Sequence, residues 1–231
     1  MTIEETPAVL VPLKRSEHSK TRLEPPLTEA ERSRLSQALY EHLLGELEVL
    51  RQDYRVLALT NSDLLLERAR ERGIKAAREA GGCSALGETI DSAIRRDQTF
   101  FENGVLVLPS DLPFLTAPRV REYLERCRGR PLVLNPDTEN SGTNAIWRNP
   151  PLVVSCQYRG TSSFDDHVRV AKNEGINYEI TRREWIERDL DTVEDLEWLK
   201  ARRDQLPESL RTTFRDLFDF GSLNTRSFQE S

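Results

Sequence analysis

The chain has 231 residues, of which 37% are hydrophobic and 31% charged, with a formal net charge of −6. That length suits one large domain or two small ones with enough apolar material for a core, and the acidic balance argues against non-specific nucleic-acid binding while leaving room for a local basic cluster around a nucleotide. The apolar run Ala8 to Leu13 is interrupted by Pro12 and is too short for a membrane span or signal-peptide core, and Cys83, Cys127 and Cys156 lie far apart without metal-ligand spacing, as expected of reduced thiols in a cytoplasmic protein.

Residues 1–7 read as a flexible N-terminus. Ala8 to Lys14 reads as a first strand, near-continuously apolar and so buried on both faces. Its end opens into Lys14, Arg15, Lys20 and Arg22, which is either a solvated basic loop or an anion seat. Thr28-Glu29-Ala30-Glu31 is a capping box. The helix behind it carries Leu35, Leu39, Leu43, Leu47 and Leu50 on one face, with His42 at its rim. Arg55 to Thr60 is a second buried strand, followed by a helix from Asn61-Ser62-Asp63 to Arg72. The segment from Ile74 to Ala80 fits a strand poorly. A further helix spans Leu86 to Arg95, and its beginning could offer backbone N–H groups to an anion or base.

Val105-Leu106-Val107-Leu108 is a short apolar run closed by Pro109, the pattern of a buried central strand. Asp111 follows just past its C-terminal edge, where open α/β sheets bind ligands; it reads as a metal ligand or as a turn aspartate. A helix from Thr116-Ala117-Pro118 to Gly129 comes next, with Pro in its first turn. Pro131 to Leu134 is a fourth strand, then comes a polar loop from Asp137 to Asn144. Ala145 to Trp147 and Leu152 to Ser155 read as strand segments flanking a Pro-Pro turn. Ser163 caps a helix to Glu174, and Asn177 to Ile186 holds strand-like pieces. In Asp189-Leu190-Asp191 the two carboxylates of an extended chain point to one side. Thr192 to Asp195 is a second capping box, and residues 205–231 form a polar tail with one helical turn near Phe214 to Leu217. Alternating strands and helices predict an α/β fold, a single domain over 8–204 with a mostly parallel central sheet flanked by helices.

The ordered set is specific: Lys14, Lys20 and Arg22 after an apolar strand; Leu-Pro-Ser-Asp111-Leu-Pro; Ser141-Gly142-Thr143-Asn144; Arg159-Gly160-Thr-Ser-Ser163-Phe164-Asp-Asp-His167; and Asp189-Leu190-Asp191-Thr192. It resembles the 2-phospho-L-lactate and phosphoenolpyruvate guanylyltransferases of coenzyme F-420 biosynthesis, over about residues 8–200. The resemblance implies a nucleotide-diphospho-sugar-transferase-like fold and GTP and a phosphorylated three-carbon acid as partners. It places acid contacts on Asn144, Gly160 and Ser163, magnesium ligands on Asp111, Asp189 and Asp191, and the loop around the GTP phosphates on Lys14 to Arg22. A homodimer stays open, and a downstream enzyme is implied that accepts the guanylylated product. Two positions depart from the family. Arg159 precedes Gly160, and Gly87-Glu88 stands where Asn often follows Leu, which bears on base selection.

The implied chemistry is in-line attack by the acid's phosphate oxygen on the α-phosphorus of GTP. The nucleophile is already an anion, so positioning and charge neutralisation carry the catalysis. Alternatives are a nucleotidyltransferase using another nucleoside triphosphate or a sugar-phosphate acceptor, and a nucleotide-binding regulator without catalysis. The reading is geometric as well: Asp111 and the Asp189/Asp191 pair are expected to converge on one pocket.

Overall fold

The computed structural model describes residues 3–13, 20–24, 26–83, 85–158 and 162–224, the last seven by backbone alone. The strands are β1 (Ala8–Pro12), β2 (Arg55–Leu59), β3 (Lys75–Ala77), β4 (Val105–Val107), β5 (Leu132–Pro136), β6 (Thr143–Arg148) and β7 (Glu179–Ile180). They form one sheet in the order β3-β2-β1-β4-β6-β5-β7. Every pair is parallel except the two made by β6, which runs against β4 and β5.

The alternation of a strand's side chains divides the core. Val9 and Val11 of β1 face one side, with Leu106 and Trp147, while Ala8 and Leu10 face the other, with Val107 and Ile146. The first side is covered by α1 (Glu29–Leu50), α2 (Asp63–Glu71) and, beyond α3 (Leu86–Arg96) and α4 (Gln98–Phe101), by α5 (Ala117–Cys127). Leu43, Leu47, Leu65, Val120 and Leu124 supply that contact. The second side is covered by α3 and α6 (Ser163–Asn173), through Ile90, Ile94, Phe164 and Ala171. Burial on both faces explains why β1 and β4 are apolar without a break.

Both capping boxes form as expected. Thr28 opens α1, and Thr192 opens α8 (Val193–Lys200), which follows the single turn α7 (Glu184–Glu187). Five expectations are corrected. A short β3 exists at Lys75–Ala77 despite its weak alternation, because it adds in parallel to β2 at the sheet edge. Residues 152–155 are turns rather than strand. Their Val154 carbonyl accepts from the buried Arg148 Nη1 at 2.9 Å, beside the Arg148–Asp91 ion pair at 2.7 Å, so side-chain bonds take the place of a ladder. At the N-terminus, Ile3–Glu5 is a 3-10 turn, closed by Thr6 Oγ1 donating to the Ile3 carbonyl at 2.7 Å.

The largest correction is at the other end, where Glu208–Asn224 forms a helix, α9, of 17 residues. Leu210, Phe214 and Leu217 stand at helical spacing and are buried with Leu35, Leu39, Leu196 and Leu199 in a third apolar cluster. His42 belongs to that join and is buried rather than at a rim. Its Nε2 donates to the Leu115 carbonyl at 2.8 Å, so its Nδ1 accepts from Ser209 Oγ at 2.7 Å. Burial holds its pKa below the usual value. Replacing the fully buried Phe214 by Ala should therefore cost about 3–5 kcal/mol in urea unfolding. A loss below 1 kcal/mol would show that α9 does not dock on α1.

Candidate active site

Because β6 runs antiparallel, its first residues lie at the same sheet edge as the last residues of β4 and β5. Val107 pairs with Ile146. Extending that register by two residues sets Asn144 level with Pro109, close to where Asp111 begins the turn. Sequence order scatters these groups, and one inverted strand gathers them.

Leu190 then ties the gathered groups together. Its N–H donates to the Asp111 carbonyl at 3.0 Å, and its own carbonyl accepts from Lys20 Nζ. The Lys20 ammonium also lies 3.5 Å from Asp111 Oδ2, and the Lys20 side chain is only 7% exposed. Lys20 takes a left-handed backbone conformation, φ 60°, at the entry to the 3-10 turn Thr21–Leu23. That turn is anchored by the fully buried Leu23. A buried cation on a strained backbone residue is a costly arrangement, of the kind that clusters at ligand sites.

Asp189 is partly buried and faces Asp111 across this clasp. Burial first, and the Asp111 charge second, push its carboxyl well above the usual carboxylate range. Asn144 Nδ2 donates to Asp189 Oδ1 at 3.3 Å and to the Ile186 carbonyl at 2.8 Å. Next along β6, the Thr143 N–H donates to Ser163 Oγ at 2.9 Å, and Phe164 N–H donates to the Ser141 carbonyl at 3.2 Å. Ser163 is therefore not the helix cap expected of it. It lies inside the first turn of α6, with its hydroxyl turned to β6.

The structure thus brings together Lys20, Asp111, Asp189, Asn144 and Ser163 by a chain of short contacts. Asp191 lines one cleft with Lys20 and Asp111 but is turned to Arg22, whose Nη1 donates to it at 3.1 Å from a side chain 71% exposed. Among the described residues, no three His, Cys, Asp or Glu side chains close into a metal-holding group. Lys14, Arg159 and Gly160 lie outside the described residues. Gly87 has a packing reason: a side chain there would run into the Cys156 carbonyl, so its smallness lets α3 approach the 156–158 segment.

Three supporting groups carry no signal as ligands in the sequence. Asp137 accepts from the Ser141 and Gly142 N–H groups at 2.8 and 2.6 Å and so folds the 137–142 loop ahead of Asn144. Asp91 accepts from the Cys156 N–H at 3.0 Å while paired with Arg148. His167 Nε2 accepts from the Gln157 N–H at 2.8 Å, so its Nδ1 donates to Thr143 Oγ1 at 3.0 Å. Only its membership in the ordered motif drew attention to His167.

Comparison with known proteins decides what this edge belongs to. Residues 7–202 match the family model described as guanylyl transferase CofC like. The chain belongs to the CofC-like guanylyltransferase family. Its relatives in this family include a phosphoenolpyruvate guanylyltransferase of Sphaerobacter thermophilus, 31% identical over 84% of this chain and 92% of the relative. A 2-phospho-L-lactate guanylyltransferase of Methanothermobacter thermautotrophicus is 29% identical over 81% of each chain. A 3-phospho-D-glycerate guanylyltransferase of Colwellia psychrerythraea is 27% identical over 83% of this chain and 90% of its own. In fold, the chain is similar to a solved structure from Desulfovibrio desulfuricans G20 described as a nucleotide-diphospho-sugar transferase. That match has a TM-score of 0.74 at 18% identity and covers 96% of this chain and 97% of the other. The family match ends before α9.

The His167 bonds have a pH consequence. Burial, then the Arg148 charge, hold its pKa at about 4 rather than 6.5. The fold favours the neutral ring, so this stabilisation is complete above the unfolded value and is lost as pH falls from about 6.5 to about 4. It amounts to about 3 kcal/mol. Urea unfolding at pH 7 and pH 4 should show wild type losing about 3 kcal/mol more than His167→Gln; equal losses would contradict a buried neutral His167.

Proposed function

We propose that this chain transfers GMP from GTP to the phosphate of 2-phospho-L-lactate, phosphoenolpyruvate or 3-phospho-D-glycerate, releasing pyrophosphate, as a cytoplasmic step in coenzyme F-420 biosynthesis. The observation that carries this reading is the Lys20–Asp111–Asp189–Asn144 array at the sheet's ligand-binding edge in a guanylyltransferase family. Among the described residues, no helix is long and apolar enough to cross a membrane.

In the proposed reaction an oxygen of the acid's phosphate bonds to the α-phosphorus as the bond to the β-phosphate oxygen breaks. The electron pair leaves with pyrophosphate, and no proton has to be removed from the nucleophile. The obstacle is bringing two polyanions together. Lys20 is held in place before substrate arrives, so its charge meets the phosphates without reorganisation. Arg22 and Lys14 add cations from the same loop. Ser163 accepts from Thr143 with its oxygen and keeps its O–H proton to donate, which suits the phosphate or carboxylate of the acid. Asn144 orients Asp189, and Gly160 and Asn144 complete the proposed acid seat.

Magnesium is the proposed cofactor, held by Asp111 and Asp189, with Asp191 as the third carboxylate. The fit rests on Asp189, whose charge burial and the nearby Asp111 disfavour and a bound cation would favour. Asp191 is joined to an exposed arginine, a pairing worth about 0–1 kcal/mol and so readily exchanged. When bound, magnesium supplies charge neutralisation across phosphate oxygens. The guanylylated acid is then passed to a downstream enzyme.

Purified protein incubated with GTP and each of the three acids should release pyrophosphate with at least one, with the guanylylated product identified by mass. Asp111→Asn should keep its circular dichroism and lose about 10²–10³ in kcat. Turnover only with another nucleoside triphosphate or a sugar phosphate, or full activity of Asp111→Asn, would overturn the reading.

A further inference from the structure

Ser36 lies on the α1 face that looks toward the ends of β1 and β4. It is 6% exposed, and its hydroxyl has no hydrogen-bond partner among the described residues. A buried hydroxyl left unpaired destabilises the fold, so its retention calls for something outside the chain to pair with. Ser36 lines a cleft of about 240 Å³ that also contains Lys20 and Asp111. The cleft therefore has two kinds of wall. Lys20, Asp111 and Asp191 form the charged one. The other, to which Ser36 belongs, is mainly apolar, with Leu39, Tyr40, Leu86 and Pro109. A polyphosphate would need cations there. A nucleoside has apolar ring faces and a polar rim, and needs close apolar surface with a few neutral hydrogen-bonding groups.

We propose that Ser36 is a specificity-determining residue that hydrogen-bonds the nucleoside half of the bound nucleotide, while the phosphates lie toward Lys20 and Asp111. This rests on the nucleotidyl-transfer reading above. It sets two effects of the hydroxyl against each other. In the free protein the unpaired group weakens the fold, and in the complex it strengthens binding. A serine kept for packing or capping would do the reverse.

The test compares wild type and Ser36→Ala in calorimetric binding of GTP, guanosine and tripolyphosphate, with steady-state kinetics and thermal melting alongside. Ser36→Ala should bind GTP and guanosine about three- to tenfold more weakly, bind tripolyphosphate equally, and melt no lower than wild type. The KM for GTP should rise by the same factor, with the KM for the acid unchanged. Equal GTP affinity, a penalty falling on tripolyphosphate, or a lowered melting temperature would overturn the proposal. If wild type turns over GTP with none of the acids, the transfer reading fails by itself. The Ser36 proposal is then decided by the same comparison made with the tightest-binding nucleoside triphosphate and its nucleoside.

Discussion

The site depends on a backbone clasp at Leu190. One peptide unit accepts from Lys20, the adjacent N–H donates to Asp111, and the leucine side chain is buried in the cluster that joins α1, α8 and α9. Three segments far apart in the chain, the basic turn after β1, the turn after β4 and the aspartate loop before α8, are thereby fixed to one another. On the Leu190 side both partners are peptide groups, so the position of Asp111 is held through its backbone carbonyl and not through its carboxylate. The carboxylates of Asp111, Asp189 and Asp191 remain available for chemistry while their loops are held still.

That arrangement stores repulsion. Burial and the nearby Asp111 charge disfavour ionisation of Asp189, and the fold tolerates this through Lys20 and Asn144. The inverted β6 is the second requirement. A parallel strand at that place would have put its first residues at the opposite edge, far from Asp111. By running backward, β6 delivers Asn144 to Asp189, and the Thr143 N–H to Ser163, at the edge where β1 and β4 end. The helices enforce this from both faces, α1 and α5 on one and α3 and α6 on the other.

Much of this was legible in the amino-acid order. The unbroken apolar runs of β1, β2 and β4 follow from burial on both faces, and Thr28 and Thr192 announced their helices through capping boxes that form. Asp111 is singled out by its place just past a strand end, and Asp189 by its alternation with Asp191 and by the family resemblance. What escaped has physical reasons. The Leu190 clasp runs through the N–H and carbonyl of Leu190 and the carbonyl of Asp111, peptide groups that every residue carries. The reversal of β6 is set by the 137–142 loop folded on Asp137, whose polar residues read only as a loop. α9 buries a narrow stripe, Leu210, Phe214 and Leu217, among charged residues, so its average looked like a tail. Ser36 resembles any serine on a helix until its surroundings are seen. The third carboxylate, Asp191, is grouped with Asp189 by spacing, and in the fold it pairs with the exposed Arg22.

The central claim is that Asp111 and Asp189 act as one unit around a shared charge. A double-mutant cycle on kcat/KM, with Asp111→Asn, Asp189→Asn and the pair, tests this most directly. The account predicts that the double variant is little worse than either single one, because removing one carboxylate already disables the unit. Losses that multiply, each variant costing as much in the presence of the other as alone, would contradict it.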